Sequence, residues 1–265
     1  ANCDTNATCT DTDGSFTCAC NPPFEGDGVT CACPIAECGG TCVDTATDPN
    51  NYGGCDIKCL ASQTCAGTCQ DLSGEVGFWK LDESTGPALA DASGSNASAT
   101  LLGGKLDVGH LGNGLVVNGV NSTGARTDAA LPSMTEVTVS LWVQRTGAGT
   151  AFPRITSWDN DAFEIADYAS GGNLGVYTPT LNWQNTGQAF GSGFHHVAVT
   201  IGAGTMTVYF DGALVKTYST NVNLSGKFTM GTRWNNVETW VGGVDHVRVF
   251  NRVLTQQEIT LLASE

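Results

Sequence analysis

Residues 194–218, FHHVAVTIGAGTMTVYFDGALVKTY, carry the clearest structural signal in this chain. Aromatic and β-branched residues recur at every second position along 194–201 and 205–210, which is the period of a β-strand. Gly202, Ala203 and Gly204 separate these two segments. Asp211-Gly212 follows the second segment, and this pair accepts the positive φ angles of a two-residue hairpin turn. The stretch predicts three consecutive antiparallel strands, and its two largely apolar faces favour a layer inside a β-sandwich.

The composition of the whole chain is typical of an all-β protein. The 265 residues include 34 glycines, and the formal net charge is −15. Many glycines fit many turns, whereas a strong negative charge argues against binding nucleic acid or an anionic membrane surface. No apolar run is long enough to span a bilayer, so we expect no membrane insertion.

All twelve cysteines lie within residues 1–69. This density predicts a disulfide framework made in an oxidising compartment, so we expect a secreted or cell-surface protein. No secretory signal is visible at residue 1, and we therefore expect that the original N-terminus was processed or trimmed. Zinc binding is the alternative for Cys55, Cys59, Cys65 and Cys69, but their spacing lacks a C-x2-C pair, which favours disulfides.

Residues 194–218 resemble the central strands of the laminin-G-like, concanavalin A-like jelly rolls, in the bacterial branch described as LamG-like domain 3. Four more segments resemble that family, in the family's order: 75–104, 109–122, 135–146 and 242–259. The resemblance implies two antiparallel sheets in a mostly non-catalytic protein that serves in adhesion or glycan binding and often holds calcium. Separately, Thr255-Gln-Gln-Glu258 forms a capping-box pattern, which predicts a short helix at the end of the domain.

The cysteine-rich part resembles two small modules. Residues 1–32 resemble an EGF-like module that lacks its first cysteine. That family's pairing implies the disulfides Cys3–Cys18 and Cys20–Cys31, and it leaves Cys9 without a partner in the module. Residues 33–72 resemble a short repeat of myxobacterial surface proteins with an odd number of cysteines, one of which is a candidate partner for Cys9. We therefore predict an all-β protein, with a two-sheet antiparallel jelly-roll sandwich at residues 73–265 behind two disulfide-rich modules that act as a stalk.

A calcium site follows from the laminin-G-like resemblance. The family brings together an acidic residue after the first strand, the next Asp/Asn loop and an aspartate in the penultimate strand; the matching residues are Asp82, Asp91, Asn96 and Asp245. Carboxylate and carbonyl oxygens are the ligands that calcium prefers. The alternative is that Asp82 and Asp91 are solvated turn residues, although Asp245 lies in an apolar strand and needs a cation or several donors.

A glycan-binding surface is the second hypothesis. Sugar recognition needs flat aromatic faces beside amides and carboxylates. Three apparent loops and one strand end supply this mixture, with Trp158, Tyr177, Trp183 and Trp234 as the candidate contact residues. For any single tryptophan, covering an edge of the core is the competing interpretation.

Catalysis is the third hypothesis. Glycosidases of this fold place two carboxylates on one strand face, but Asp161, Glu164 and Asp167 are spaced by three, and Ala166 stands where the second carboxylate is needed. A Ser-His-Asp catalytic triad that includes His195 or His196 remains an alternative, although the sequence contains no G-x-S-x-G nucleophile elbow. We therefore predict a non-enzymatic extracellular protein that binds a glycan or a surface partner. The alternative is a structural subunit of a fibre or coat that contacts copies of itself.

Overall fold

The computed structural model describes residues 2–34, 36–38, 41–43, 63–65 and 69–265, with the backbone alone for 63–65 and 69–71. The chain divides into two compact units, Ala1–Leu72 and Ser73–Glu265. The described part of the first unit contains short antiparallel strand pairs. Its strands are β1 (Ala7–Thr12), β2 (Ser15–Cys20), β3 (Glu25–Gly26), β4 (Cys31–Ala32), β5 (Ala36–Cys38), β6 (Thr41–Val43), β7 (Gln63–Cys65) and β8 (Cys69–Asp71).

Disulfides hold the first unit together. Cys3–Cys18 and Cys20–Cys31 are present, and they are the two pairs that the EGF resemblance implies. A further disulfide joins Cys33 to Cys42. Cys9 is exposed and forms no disulfide with the cysteines whose side chains are described. The side chains of Cys55, Cys59, Cys65 and Cys69 lie outside the described residues, so their pairing and the zinc alternative stay untested.

The second unit is built from strands and one short helix. The strands are β9 (Glu75–Trp79), β10 (Ala88–Leu89), β11 (Ala99–Gly103), β12 (Lys105–Val108), β13 (Asn113–Asn118), β14 (Gly124–Thr127), β15 (Leu131–Met134), β16 (Val137–Arg145), β17 (Arg154–Trp158), β18 (Glu164–Asp167), β19 (Asn173–Tyr177), β20 (Gln184–Ala189), β21 (Phe194–Gly202), β22 (Thr205–Phe210), β23 (Ala213–Ser219), β24 (Leu224–Gly226), β25 (Phe228–Met230) and β26 (Val241–Phe250). The helix is α1 (Gln256–Leu262), and no helix in the described part of the chain has the length and apolarity to cross a membrane.

Two antiparallel sheets face each other across one core. The first sheet has the order β12-β13-β26-β16-β21-β22-β23, with β9 also paired to β26. The second sheet has the order β10-β11-β14-β25-β17-β18-β19-β20. This arrangement confirms the predicted all-β sandwich of two sheets.

The three strands predicted from residues 194–218 lie at one end of the first sheet. Strands β21, β22 and β23 pair in sequence order, and Ala203 and Asp211 both adopt a φ of 48° at the predicted turns. Val197, Val199 and Ile201 belong to the buried core, while Ala198 and Thr200 alternate with them on the outer face. Alternate residues of one strand thus face two different buried layers, as the apolar character of both faces predicts.

Helix α1 covers part of the outer face of the first sheet. Thr255 and Glu258 form the predicted capping box, in which the Thr255 side chain accepts from the Glu258 N–H and Glu258 accepts from Thr255. Ile259 and Leu262 are buried but lie outside the main core cluster. The helix is anchored where the Leu254 N–H donates to Thr138 Oγ1 of β16 at 3.0 Å.

Strand β26 runs without interruption through Gly242 and Gly243. Gly242 has a φ of 150°, and a Cβ there would lie 1.8 Å from the Gln144 carbonyl oxygen. Glycine is therefore required because the neighbouring backbone approaches too closely for a side chain. Farther along, the register with β16 shifts between Ser140 and Trp142, and His246 at this bulge adopts a φ of 45°.

Candidate functional site

Four half-buried aromatic rings contact one another on the outer side of the second sheet; we call Phe152, Tyr168, Tyr177 and Trp183 the aromatic cluster. The Trp183 ring stacks on Phe152 with centroids 4.5 Å apart and lies 5.3 Å from Tyr177. Phe152 meets Tyr168 edge-on at 5.4 Å. Rings that stay partly exposed while packing together form a fixed apolar surface with polar rims.

Arg154 lies directly against this cluster. Its guanidinium carbon is 4.7 Å from the Trp183 centroid and 5.8 Å from the Phe152 centroid. If Arg154 and Phe152 covered opposite indole faces, their separation would approach the sum of their distances from Trp183. The observed separation of 5.8 Å is much shorter, so Arg154 and Phe152 do not lie on directly opposite faces of Trp183.

A network of ion pairs lies beside the aromatic cluster; its members are Arg154, Asp161, Glu164, Arg233 and Glu238. Arg154 Nε lies 3.0 Å from Glu164 Oε2, and Arg154 Nη1 lies 3.2 Å from Glu238 Oε2. Arg233 Nε donates to Asp161 at 2.8 Å, and Arg233 Nη1 donates to Glu238 at 2.9 Å. This network joins strands β17 and β18 to the loop after β25.

Glu164 is the buried centre of the network, with 1% of its surface exposed. Its Oε1 accepts a hydrogen bond from Ser157 Oγ at 3.0 Å. Burial raises the pKa of the Glu164 carboxyl to about 7, although the Arg154 guanidinium acts to lower it. In β18 the residue is directly opposite Tyr177 of β19, so the sheet register places the network next to the aromatic cluster.

The predicted ligand-binding residues have different surroundings. Tyr177 and Trp183 meet in the aromatic cluster, as described above. Trp234 is half-buried in the loop that carries Arg233, and its backbone N–H donates to Ser157 Oγ at 3.4 Å. Trp158 is fully buried in the core, 4.6 Å from the Phe228 ring. A buried indole offers no face to a ligand, so core packing is the correct interpretation for Trp158.

Sequence reasoning missed Phe152, Tyr168 and Arg154. Each lies outside the loops singled out for their mixture of aromatic and polar residues. The Phe-Pro-Arg sequence at 152–154 holds two of them, and the successive pairing of β17, β18, β19 and β20 brings them near Trp183.

The carboxylates among the proposed calcium ligands form hydrogen bonds to two different loops. Asp82 and Asp245 both hold the turn between β12 and β13. Asp82 Oδ1 accepts the Asn113 N–H at 3.0 Å, and Asp245 Oδ2 accepts the N–H groups of His110 at 2.8 Å and Leu111 at 2.9 Å. Asp245 is fully buried, and these donors satisfy its need for hydrogen-bond partners.

Asp91 holds its own loop. It accepts the N–H groups of Phe78, Ser93 and Ala97, each at 2.9 Å, while Asn96 in the same loop is exposed. Burial acts to raise the pKa of Asp91, but these hydrogen bonds hold it below its ordinary value. The described residues include no group of three or more His, Cys, Asp or Glu side chains that could hold a metal ion. The four residues do not fit one calcium shell as arranged, and calcium here stays a prediction.

A serine and a histidine meet on the covered outer face of the first sheet. Ser140 Oγ lies 2.8 Å from His196 Nε2 in a buried pair. Asp211 does not orient the His196 ring, because its Oδ1 accepts the His196 backbone N–H and its Oδ2 lies 2.8 Å from His195 Nδ1. Among the residues that the structure describes, buried His196 Nδ1 has no hydrogen-bond partner. This geometry differs from the Ser-His-Asp relay, in which the carboxylate binds that nitrogen.

Comparison with known proteins identifies the family. Residues 118–260 match the concanavalin A-like lectin/glucanases superfamily, and residues 1–31 match the EGF domain. The first match spans more than half of the chain, and this protein therefore belongs to the concanavalin A-like lectin/glucanases superfamily. The EGF resemblance is also confirmed, whereas the myxobacterial repeat stays a prediction.

Solved structures share the fold of the sandwich. Domain 4 of AbnA, a GH43 extracellular arabinanase from Geobacillus stearothermophilus solved with arabinotriose, aligns with 71% of this chain and 98% of its own (TM-score 0.57, identity 21%). The Trypanosoma rangeli sialidase in complex with sialic acid aligns over 75% of this chain and 34% of its own (TM-score 0.57, identity 19%). Sequence identities this low establish a shared fold and not a shared function.

One curated relative matches a short segment. The mouse (Mus musculus) sushi, von Willebrand factor type A, EGF and pentraxin domain-containing protein 1 is 49% identical over 35 residues. The segment is 13% of this chain and 1% of that protein, so the chain spans a very small part of this relative. EGF-like and laminin-G-like domains together with disulfides indicate an extracellular protein.

Proposed function

We propose that the sandwich is a non-catalytic recognition module that binds a glycan through the aromatic cluster, in a protein that is secreted or held at the cell surface. The observation that carries this proposal is the contact among Phe152, Tyr168, Tyr177 and Trp183, four rings that stay half-exposed beside polar loops. Sugars present apolar C–H faces ringed by hydroxyls, and such a surface complements both parts.

Two further observations support the proposal. Asn185, on the strand after Trp183, is exposed and offers an amide for sugar hydroxyls. The arabinanase domain that shares this fold was solved with arabinotriose bound. The proposal that the module is non-catalytic is supported by Glu164. Its two carboxylate oxygens already lie 3.0 Å from Ser157 Oγ and Arg154 Nε, and the residue is almost fully buried.

A glycan array followed by calorimetry on the strongest ligand tests the proposal. Trp183→Ala should weaken binding at least about tenfold, or roughly 1.4 kcal/mol, because truncating a central aromatic anchor removes much of a contact surface. Leu102→Ala is the control, since Leu102 is exposed at the far end of the same sheet. Equal affinities for Trp183→Ala and the unchanged protein would contradict the assignment of the site.

The same samples test the absence of catalysis. Chromatography of each bound glycan after long incubation should detect no shortened product. A hydrolysis product that disappears with Glu164→Gln would instead establish a glycosidase. If no glycan binds and the purified protein assembles into fibres, the alternative of a structural subunit takes precedence.

A further inference from the structure

The charges around the aromatic cluster are already paired. Arg154 is 3% exposed and contacts both Glu164 and Glu238. Arg233 holds Asp161 and Glu238. On the side of Tyr168, Arg145 Nε donates to Asp167 at 2.8 Å. Each of these guanidinium groups therefore has a carboxylate partner.

Acidic groups outnumber basic groups in this part of the surface. The three arginines face four carboxylates, namely Asp161, Glu164, Asp167 and Glu238. The chain as a whole carries a formal net charge of −15. An anionic ligand would meet a repulsive potential, which suppresses binding of like-charged partners.

An acidic sugar would have to compete with a protein carboxylate for each of these guanidinium groups. To bind a sugar carboxylate or sulfate, Arg154 would have to leave Glu164, and that change would strand a buried carboxylate without a partner. Removing one member of a buried ion pair is strongly unfavourable. By contrast, an uncharged sugar needs only ring faces and hydrogen bonds, both of which are available at the half-exposed rings.

We infer that this site selects uncharged oligosaccharides and rejects sialylated, uronic and sulfated ones. The inference rests on the proposed glycan-binding function and adds the charge class of the ligand. The selectivity comes from the paired arginines, because carboxylate recognition depends on an available guanidinium.

Matched glycan pairs test the inference. The probes are neutral oligosaccharides from the array and the same oligosaccharides carrying a terminal sialic acid or a sulfate. The neutral member of each pair should bind at least about tenfold more tightly, and added salt should not weaken it. An acidic member that binds as tightly as its neutral partner would overturn the inference and leave the proposed function intact. Absence of binding to every glycan would overturn both.

A charge variant makes the test sharper. Glu238 accepts from Arg233 and lies against Arg154, and its side chain is 20% exposed. Glu238→Gln removes a carboxylate shared by two guanidinium groups, so the ratio of acidic to neutral glycan affinity should rise several-fold. Leu102→Ala should leave that ratio unchanged. A ratio that does not move with Glu238→Gln would show that the paired arginines do not set the selectivity.

Discussion

The guanidinium carbon of Arg154 lies 4.7 Å from the centroid of the Trp183 ring. The same side chain reaches Glu164, so a buried ion pair supports a half-exposed indole. A planar cation against an aromatic ring fixes the ring's orientation as well as contributing attraction. The buried pair of Arg154 and Glu164 therefore helps to fix the position of the half-exposed Trp183 ring.

Arg154→Lys should weaken glycan binding several-fold, because lysine keeps the charge but loses the flat group that packs against Trp183. Arg248→Lys is a matched control, since Arg248 lies 3.6 Å from the Phe78 ring and pairs with Glu75 on another part of the domain. Calorimetry should record reduced affinity for the first variant alone. Equal affinities for the two variants would mean that Arg154 does not position the site.

The buried pair of Ser140 and His196 predicts a loss of stability in acid. Burial lowers the pKa of His196 from 6.5 to about 3, so the ring stays neutral in the folded protein but protonates near its ordinary pKa once the chain unfolds. This contribution to stability is present above the unfolded pKa and is lost progressively as pH falls. From about pH 7.5 to about pH 5 the loss is roughly 2 kcal/mol.

The measurement is urea unfolding of the unchanged protein and of His196→Gln across this range. Glu164 titrates with the opposite sign, because its raised pKa makes its contribution fall as pH rises through about 7. The difference between the two proteins at each pH therefore isolates His196. A difference that stays constant with pH would rule out a neutral buried His196.

Calcium removal is the direct test of the predicted ion site. The carboxylates of Asp91 and Asp245 already accept backbone hydrogen bonds, so EDTA should leave the Tm of the sandwich unchanged in scanning calorimetry. A Tm that rises with calcium concentration would establish ion binding, since a ligand of the folded state stabilises it by mass action. Asp245→Asn should then abolish the rise.

Local patterns were sufficient to predict the strongest elements. The three strands from Phe194 to Ser219 follow from the alternation of apolar residues and from the Asp211-Gly212 turn. The N-terminal cap of α1 follows from Thr255 and Glu258. Short strands such as β10 and β24 have too few residues for a period to be visible.

The candidate site was harder to predict because its contacts are long-range. Trp158 and Trp183 have similar polar neighbours in the sequence, yet one is fully buried and the other half-exposed. The register of β17 against β18 shifts between Arg154 and Thr156, and this bulge changes which later residues face the core. Alternation counted along the sequence cannot detect such a shift.

The pairing of β9 with β26 determines how the sandwich responds to a pull. Glu75, at the start of β9, is opposite Phe250, at the end of β26. Tension applied through the segments before Glu75 and after Phe250 would load the ladder at this end and open its hydrogen bonds one after another, as a zipper opens. Each hydrogen bond of this ladder would then carry the load in turn, so β9 would separate from β26 beginning at the Glu75–Phe250 end.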